Sequence, residues 1–295
     1  EALVSEEAKA LRHIFFAERE IGNIPGLSKN TAKHLVESVA ILGSGTMGGG
    51  IAMNFANIGV PVTLVDISEE SLEKGLGVVQ KNYENTVKRG RLSEDKMAKC
   101  MALISGTTNY QDIEDKDLVI EAVFENMDLK KKIFAEIDSI CKPDAILATN
   151  TSTLDVNEIA RATRRPEKVV GLHFFSPANV MKLVEIVRGD RTSLEVLATS
   201  VDLAKRIRKT GVVAGVCFGF IGNRMRELFG EGRGVCCGEL VRGACFGAAA
   251  PSSVLVSLAR KVIPLKAIQP LSLVHRKHQP KLASDHFFQL ILLAC

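Results

Sequence analysis

The amino-acid sequence predicts an α/β protein: a doubly wound, mostly parallel sheet, covered by helices on both faces and carrying a helical hairpin insertion. Two observations predict this. From Val36 to about Val216, short apolar runs alternate with longer segments of helical period. The first of those runs, "VAIL", also ends in a glycine-rich turn that opens a helix.

The elements follow in order. Residues 2–20 read as an amphipathic helix with Leu3, Leu11, Ile14, Phe15 and Ala17 as its apolar positions, and "GNIPGLSKN" breaks it. The strand candidates are "SVAIL", "PVTLVD", "DLVIEAV", "AILATN", "KVVGLHFF" and "KLVEIV". They are apolar nearly throughout, as strands buried on both faces are. The helical pieces between them are "MGGGIAMNFANIG", "EESLEKGLGVVQKNYENTVKRG", "EDKMAKCMAL", "NMDLKKKIFAEIDSICK" and "SLEVLATSVDLAKRIRKT". The charged pair from Glu69 to Leu103 is longer than a simple crossover needs, and reads as a solvated hairpin projecting from the sheet. After "GFIGNRM" the texture changes: "GEGRGVCCGELVRGACFGAAAPSS" has neither helical nor strand period.

Composition excludes several classes of function. The chain has 295 residues, 46% of them hydrophobic, enough to bury a core. It has no apolar run of membrane-spanning length, so no membrane span is expected. The opening "EALVSEEAKALRHIFFAERE" is charged throughout, unlike a signal peptide, and lacks an initiator Met, which suggests a piece of a longer chain. Seven cysteines show no paired metal-ligand spacing, so no metal is expected and a reduced, intracellular setting is. The net charge of +4 is concentrated in residues 226–295, where nine Lys/Arg face four Asp/Glu. Basic and aromatic residues are not interleaved, so nucleic acid is not an expected partner.

Gly43, Gly45 and Gly48 form G-x-G-x-x-G directly after "VAIL". The first allows the tight turn, the second lets a pyrophosphate approach the backbone, and the third packs helix on strand. The next strand, "PVTLVD", ends in Asp66, 23 residues after Gly43. A carboxylate there accepts the ribose hydroxyls of NAD and repels the extra phosphate of NADP. A Rossmann-type NAD site is therefore expected, against the plainer reading of a structural turn.

In "GLHFFSPANVMKLVEIV", two strand-like runs flank a turn containing Pro177. Alternation puts His173 and Phe175 on one face, and Leu183, Glu185 and Val187 on one face of the next run. Glu185 is an acid where the pattern expects an apolar residue, and a buried carboxylate needs a partner. His173 across the hairpin is the simplest one. Such a pair suits the removal of a hydroxyl proton during hydride transfer. Spacing alone equally allows an exposed edge Glu and a core His bonded to backbone. Asn150, Thr151 and Ser152 follow the strand "AILAT", where open α/β sheets bind ligands, and Asn223 opens a helix; each could instead be a helix cap.

Taken together, "GSGTMGGGIA", "LVIEAVFENMDLKKKIF", "NTSTL", "LHFFSPANVMKLVEIV" and "GFIGNRM" resemble the L-3-hydroxyacyl-CoA dehydrogenase family, over about residues 36–225. The likeness is to the dehydrogenase module of multifunctional fatty-acid β-oxidation enzymes. It implies oxidation of an L-3-hydroxyacyl-CoA to the 3-ketoacyl-CoA with NAD. His173 then aligns with the general base, Glu185 with its carboxylate partner, Ser152 with the serine bonded to the reacting oxygen, and Asn223 with the asparagine that places the substrate. Gly43, Gly45, Thr46, Met47, Gly48, Asp66, Glu125, Lys130 and Asn150 fall where the family contacts the cofactor. Ser176 stands where many single-function members have Asn. The resemblance divides the chain into a linker helix (1–35) from an upstream enoyl-CoA hydratase/isomerase module, an NAD-binding domain (36–218) and a C-terminal region (219–295). That last region begins the substrate and dimerisation domain and then departs from the family pattern at about Arg226. The implied partners are an acyl-CoA, the upstream module and, in the family's manner, a second copy in a homodimer. The implied compartment is cytoplasmic in a bacterium and peroxisomal in a eukaryote. The alternative is a catalytically impaired NAD-binding fragment lacking its substrate domain. A dehydrogenase of short hydroxyacids is a weaker rival, because those commonly use a lysine base.

Overall fold

A computed structural model describes residues 4–224, and the expectations for the C-terminal stretch from residue 225 onward lie outside the described residues. One compact unit, Gly26–Phe220, holds an eight-stranded sheet. Its strands are β1 (Val39–Leu42), β2 (Val62–Val65), β3 (Ile104–Thr107), β4 (Leu118–Glu121), β5 (Ile146–Thr149), β6 (Val169–Phe174), β7 (Leu183–Arg188) and β8 (Thr210–Gly215). The order across the sheet is β3-β2-β1-β4-β5-β6-β7-β8, parallel except for the antiparallel pair β6–β7. β1 is flanked by β2 on one side and β4 on the other. The chain therefore winds outward in both directions from β1, and a crevice opens beyond the carboxyl ends of β1 and β4.

The helices are α1 (Glu6–Glu20), α2 (Thr46–Ala56), α3 (Glu69–Lys88), α4 (Glu94–Ala102), α5 (Met127–Ile140), α6 (Val156–Ala160) and α7 (Leu194–Arg206). Side chains cap most of their starts. Ser68, Ser93, Asn126, Asp155 and Ser193 accept amide bonds from the first turns of α3 to α7. The exception is α2, whose N-cap is Gly45 and whose first turn receives no side-chain cap. α1 lies outside the main unit and starts at Glu6, capped by Ser5, rather than at residue 2. Leu11 and Phe15, read as apolar positions of that helix, are exposed.

The hairpin α3–α4 is present, and it packs one narrow face inward while its other face meets solvent. Leu72, Gly75 and Val79 of α3, with Tyr83, are buried, and Cys100 of α4 is buried too. The Tyr83 hydroxyl donates to Asn57 Oδ1 at 3.1 Å, just past the end of α2. A charged outer face hid a narrow apolar stripe that packs on α2. Two strands escaped the sequence reading. β3, "ISGT", buries only Ile104, and β8, "TGVVAG", buries only Ala214. Both are edge strands with little side chain to bury, so neither shows the apolar run of a central strand.

The closest backbone approach lies where β1 turns into α2. A Cβ on Gly48 would lie 1.8 Å from the Gly43 carbonyl oxygen. Gly43 has φ +98°, and a Cβ there would lie 2.8 Å from the Ala122 carbonyl oxygen at the end of β4. Gly48→Ala is accordingly expected to destabilise the unit by about 3 kcal/mol, because no flexible side chain can move aside. Chemical denaturation of wild type and variant checks this.

Candidate active site

The glycine loop presents a helix N-terminus to the crevice. α2 lacks a side-chain cap, so its first amides remain for a ligand's oxygens, with the positive end of the helix dipole behind them. A Cβ on Gly45 would meet nothing within 4 Å. The open space lies where a pyrophosphate must approach the backbone, and the residues present fit a dinucleotide. Thr46 and Met47 form the first turn of α2 beside it.

Asp66 follows β2 directly. Its Oδ2 accepts from the Ser44 amide at 2.7 Å and the Ser44 hydroxyl at 2.6 Å, and its Oδ1 accepts from the Ile67 amide at 2.8 Å. Partial burial would raise this carboxyl, but the bonds from Ser44 and Ile67 outweigh it and hold the pKa below the ordinary value. A groove beside Asp66 is lined by Gly43, Ile67, Thr108, Tyr110 and Val123, among others. Thr108 and Tyr110 were not picked out from the sequence. They follow the unrecognised strand β3, so nothing placed them at the carboxyl edge of the sheet. Ser44 was missed because the position between the first two glycines carries no pattern of its own.

Behind the loop runs a buried polar relay. Glu121, the last residue of β4, is fully buried. Its Oε1 accepts from Lys130 Nζ at 2.5 Å and from the Val123 amide at 2.8 Å, and its Oε2 accepts from the Thr149 hydroxyl at 2.7 Å. Lys130 is 1% exposed and lies 3.4 Å from Glu125. Glu125 Oε1 accepts from the Thr151 hydroxyl at 2.7 Å, from the Ser152 amide at 2.7 Å and from the Ser152 hydroxyl at 3.0 Å. Partial burial raises the Glu125 carboxyl, while Thr151, Ser152 and Lys130 pull it further down, leaving it below its usual value. Lys130 thus lies beneath the surface and reaches the crevice through Glu125. Glu121 was not singled out from the sequence, because a strand-end acid gives no sign that it is buried. Asn150 Oδ1 accepts from the Phe174 amide at 2.8 Å, tying the end of β5 to the end of β6.

The hairpin β6–β7 sets His173 directly opposite Glu185. His173 Nδ1 lies 2.6 Å from Glu185 Oε2, and both side chains are buried. Phe175 and Phe220 pack against the imidazole, with ring centroids 4.5 and 5.9 Å away. With Nδ1 engaged by the carboxylate, Nε2 is the nitrogen left for proton transfer. The turn after His173 is clamped from two sides. The Ala178 carbonyl accepts from Asn54 of α2 at 3.0 Å and from Lys209 at 2.6 Å, and Lys209 also donates to the Met181 carbonyl. Lys209 is buried with no carboxylate partner among the described residues, and that burial pushes its ammonium down to about 8. Asn223 lies in a helical turn at 222–224, beyond the unit that carries these residues.

A glycine loop, an acid after the second strand and a parallel sheet wound outward from β1 define a dinucleotide-binding domain of the Rossmann type. Residues 38–217 match the family "3-hydroxyacyl-CoA dehydrogenase, NAD binding domain". The chain belongs to this family, and its dinucleotide is NAD. It is 45% identical over 236 residues to the peroxisomal bifunctional enzyme of Cavia porcellus, a match covering 77% of this chain and 32% of that one. It is 42% identical over 221 residues to a peroxisomal fatty acid beta-oxidation multifunctional protein of Arabidopsis thaliana, covering 75% and 30%. The chain thus spans about a third of the length of the curated relatives it matches. Among solved structures it resembles (S)-3-hydroxybutyryl-CoA dehydrogenase from Ralstonia eutropha, with TM-score 0.65 and 36% identity, covering 75% of each chain. It also resembles the dehydrogenase part of multifunctional enzyme 1 from C. elegans, with TM-score 0.62 and 36% identity, covering 70% of this chain and 49% of that one.

Two stability effects follow from the buried cations. Lys130→Met leaves Glu121 buried without its cation and is expected to cost about 3–5 kcal/mol, read as a lower denaturation midpoint. Lys209 titrates at about 8 when folded, against an ordinary 10.5. Between those values the unfolded chain holds a proton that the folded chain does not, so this group's contribution to stability rises with pH across the window and is constant below it. Denaturation of wild type and Lys209→Met from pH 8 to pH 10.5 should show wild type gaining on the variant as pH rises.

Proposed function

We propose that this chain carries out the hydride-transfer step of an L-3-hydroxyacyl-CoA dehydrogenase, converting the L-3-hydroxyacyl-CoA to the 3-ketoacyl-CoA in fatty-acid β-oxidation. The buried His173–Glu185 pair, 2.6 Å apart and one strand over from Asn150 and Ser152, carries this reading. NAD, when bound, supplies the hydride acceptor. Gly43, Gly45, Thr46, Met47 and Gly48 hold its pyrophosphate, and Asp66 its adenosine ribose. Glu125 and Asn150 meet the cofactor directly, and Lys130 acts through Glu125.

His173 is the general base in this proposal. Its Nε2 takes the substrate hydroxyl proton as the carbonyl forms. Glu185 fixes the tautomer through Nδ1 and stabilises the imidazolium. The Ser152 hydroxyl, which donates to Glu125 in this structure, turns its proton to the reacting oxygen as charge develops there, and Asn223 helps to place the thioester. Phe175 and Phe220 line one side of the imidazole and keep water from it.

Further parts of the proposal follow from the family resemblance. Residues 1–35 serve as the linker from an upstream enoyl-CoA hydratase/isomerase module, 36–218 as the NAD-binding domain, and 219–295 as the C-terminal region, with a homodimer as the assembly. The relatives named peroxisomal or glyoxysomal support a peroxisomal setting in a eukaryote, with the cytoplasm its bacterial counterpart. Among the described residues, no helix is long and apolar enough to cross a membrane. The second reading, an NAD-binding chain without turnover, draws on the lack of helical period in residues 226–295.

Acetoacetyl-CoA-dependent loss of NADH absorbance, measured on the purified chain, separates the two readings. Given turnover, His173→Ala is expected to lower kcat at least about 1000-fold with NADH affinity unchanged, and Glu185→Gln to lower it about 100- to 10000-fold. His173→Gln provides the same test if the Ala variant does not fold. Full turnover without the imidazole would overturn the role of His173.

A further inference from the structure

We propose that Ser44 is a positioning residue for Asp66, and that through Asp66 it sets how strongly the chain prefers NAD(H) to the 2′-phosphorylated cofactor. This rests on reading Asp66 as the acid that receives the adenosine ribose.

Ser44 stands between the first two glycines of the loop, and nothing in the G-x-G-x-x-G pattern asks for a hydroxyl there. It is nonetheless 3% exposed, and both its donors point at one atom: the amide and the hydroxyl reach Asp66 Oδ2 at 2.7 and 2.6 Å. The Ile67 amide takes one site on Oδ1 at 2.8 Å. An ionised carboxylate has about four acceptor sites. Three are filled by the chain, and the fourth, on Oδ1, is left for a ligand hydroxyl. The carboxylate is gripped at both oxygens, so it cannot rotate to meet a different sugar.

The hydroxyl is itself held. Its oxygen lies 2.9 Å from the Ser71 carbonyl oxygen as well as 2.6 Å from Asp66. One O–H cannot serve both acceptors fully, and the shorter bond to the charged oxygen takes the proton. Helix α3 closes the remaining space. A Cβ on Gly75 would lie 2.4–2.8 Å from Ser44 atoms, so the helix presses on Ser44 at a residue without a side chain. The Ser44 side chain has no room to swing away.

Two consequences follow for ligand choice. A fixed, ionised carboxylate accepts a ribose hydroxyl without reorganising. The same fixed charge repels a 2′-phosphate at that position. Without the Ser44 hydroxyl, Oδ2 loses its shortest donor, the carboxylate turns more freely, and its charged form is less favoured. NADH then binds less tightly, and NADPH is rejected less.

Calorimetric titration of the full chain with NADH and with NADPH tests this in wild type, Ser44→Ala, Asp66→Asn and the double variant. Ser44→Ala is expected to weaken NADH binding roughly five- to tenfold and to narrow the NADH-to-NADPH ratio by a similar factor. In the Asp66→Asn background the same change should add less than about twofold, since the group that Ser44 positions is gone. Equal weakening of both cofactors, or an undiminished effect beside Asp66→Asn, would mean that Ser44 merely packs the loop, and the proposal falls. Unchanged NADH affinity and preference in Ser44→Ala, with both lost in Asp66→Asn, overturns the role of Ser44 and leaves the ribose reading standing. Unchanged affinity in Asp66→Asn overturns that reading itself. If Ser44→Ala does not fold, Ser44→Gly, which keeps the amide and loses the hydroxyl, provides the same arms.

Discussion

The site depends on one steric constraint: α2 must start almost in contact with the ends of β1 and β4. No side-chain atom can stand between Gly48 and the Gly43 carbonyl, or between Gly43 and Ala122. Once that approach is made, the first turn of α2 faces the crevice with uncapped amides, and Asp66 lies within reach of the loop through Ser44. The same closeness recurs along α2. A Cβ on Gly49 would lie 3.0 Å from Val79 Cγ2 of α3, and one on Gly50 would lie 3.1 Å from Ala178 Cβ of the β6–β7 turn. A run of three glycines, Gly48 to Gly50, therefore brings strand, hairpin helix and the β6–β7 turn against one short helix.

Charge is buried here in three different ways. Glu121 and Lys130 neutralise each other, with Thr149 and Val123 donating to the acid as well. Such a pair contributes little net stability against an apolar alternative, but it fixes the geometry of what it touches. Through Glu125 it touches the loop that bears Ser152. His173 and Glu185 meet through one short contact, Nδ1 to Oε2 at 2.6 Å, with both side chains buried. Lys209 has only backbone carbonyls among the described residues, so there its charge is held by dipoles rather than by a counter-ion. Each arrangement satisfies its polar atoms, and among the described residues no buried side-chain nitrogen or oxygen lacks a partner.

Much of this was legible in the sequence, for reasons that can be traced to particular residues. Central strands announce themselves because both their faces are apolar, and β1, β4, β5, β6 and β7 were all readable as runs. Glu185 stood out because it interrupts such a run, and His173 was its simplest partner although spacing equally allowed an unpaired arrangement; the ladder sets the two opposite each other. What was not legible depends on surroundings rather than on pattern. "ISGT" becomes a strand because β2 offers an edge. Glu121 becomes a core residue because Lys130, nine positions later on α5, folds back over it. Helix α3 looked like a solvated appendage because four buried positions are few against twenty residues. Ser44 acquires a role only once Asp66 and Gly75 are brought to it from elsewhere in the chain.

The antiparallel turn between β6 and β7 has a consequence for how such a chain tolerates insertions and deletions. The His173–Glu185 pairing is fixed by the ladder, in which Leu172 faces Ile186 and Phe174 faces Val184. Residues 175–182 lie outside the ladder, so length changes there leave the register of the facing pair intact, although Phe175 and Ala178 make contacts of their own. A single residue gained or lost inside either strand does not. It sets Val184 or Ile186 opposite the imidazole and turns the carboxylate to the other face of the sheet. Divergence in this segment is thus channelled into the connecting turn, while both strands are closed to any change in their count of residues.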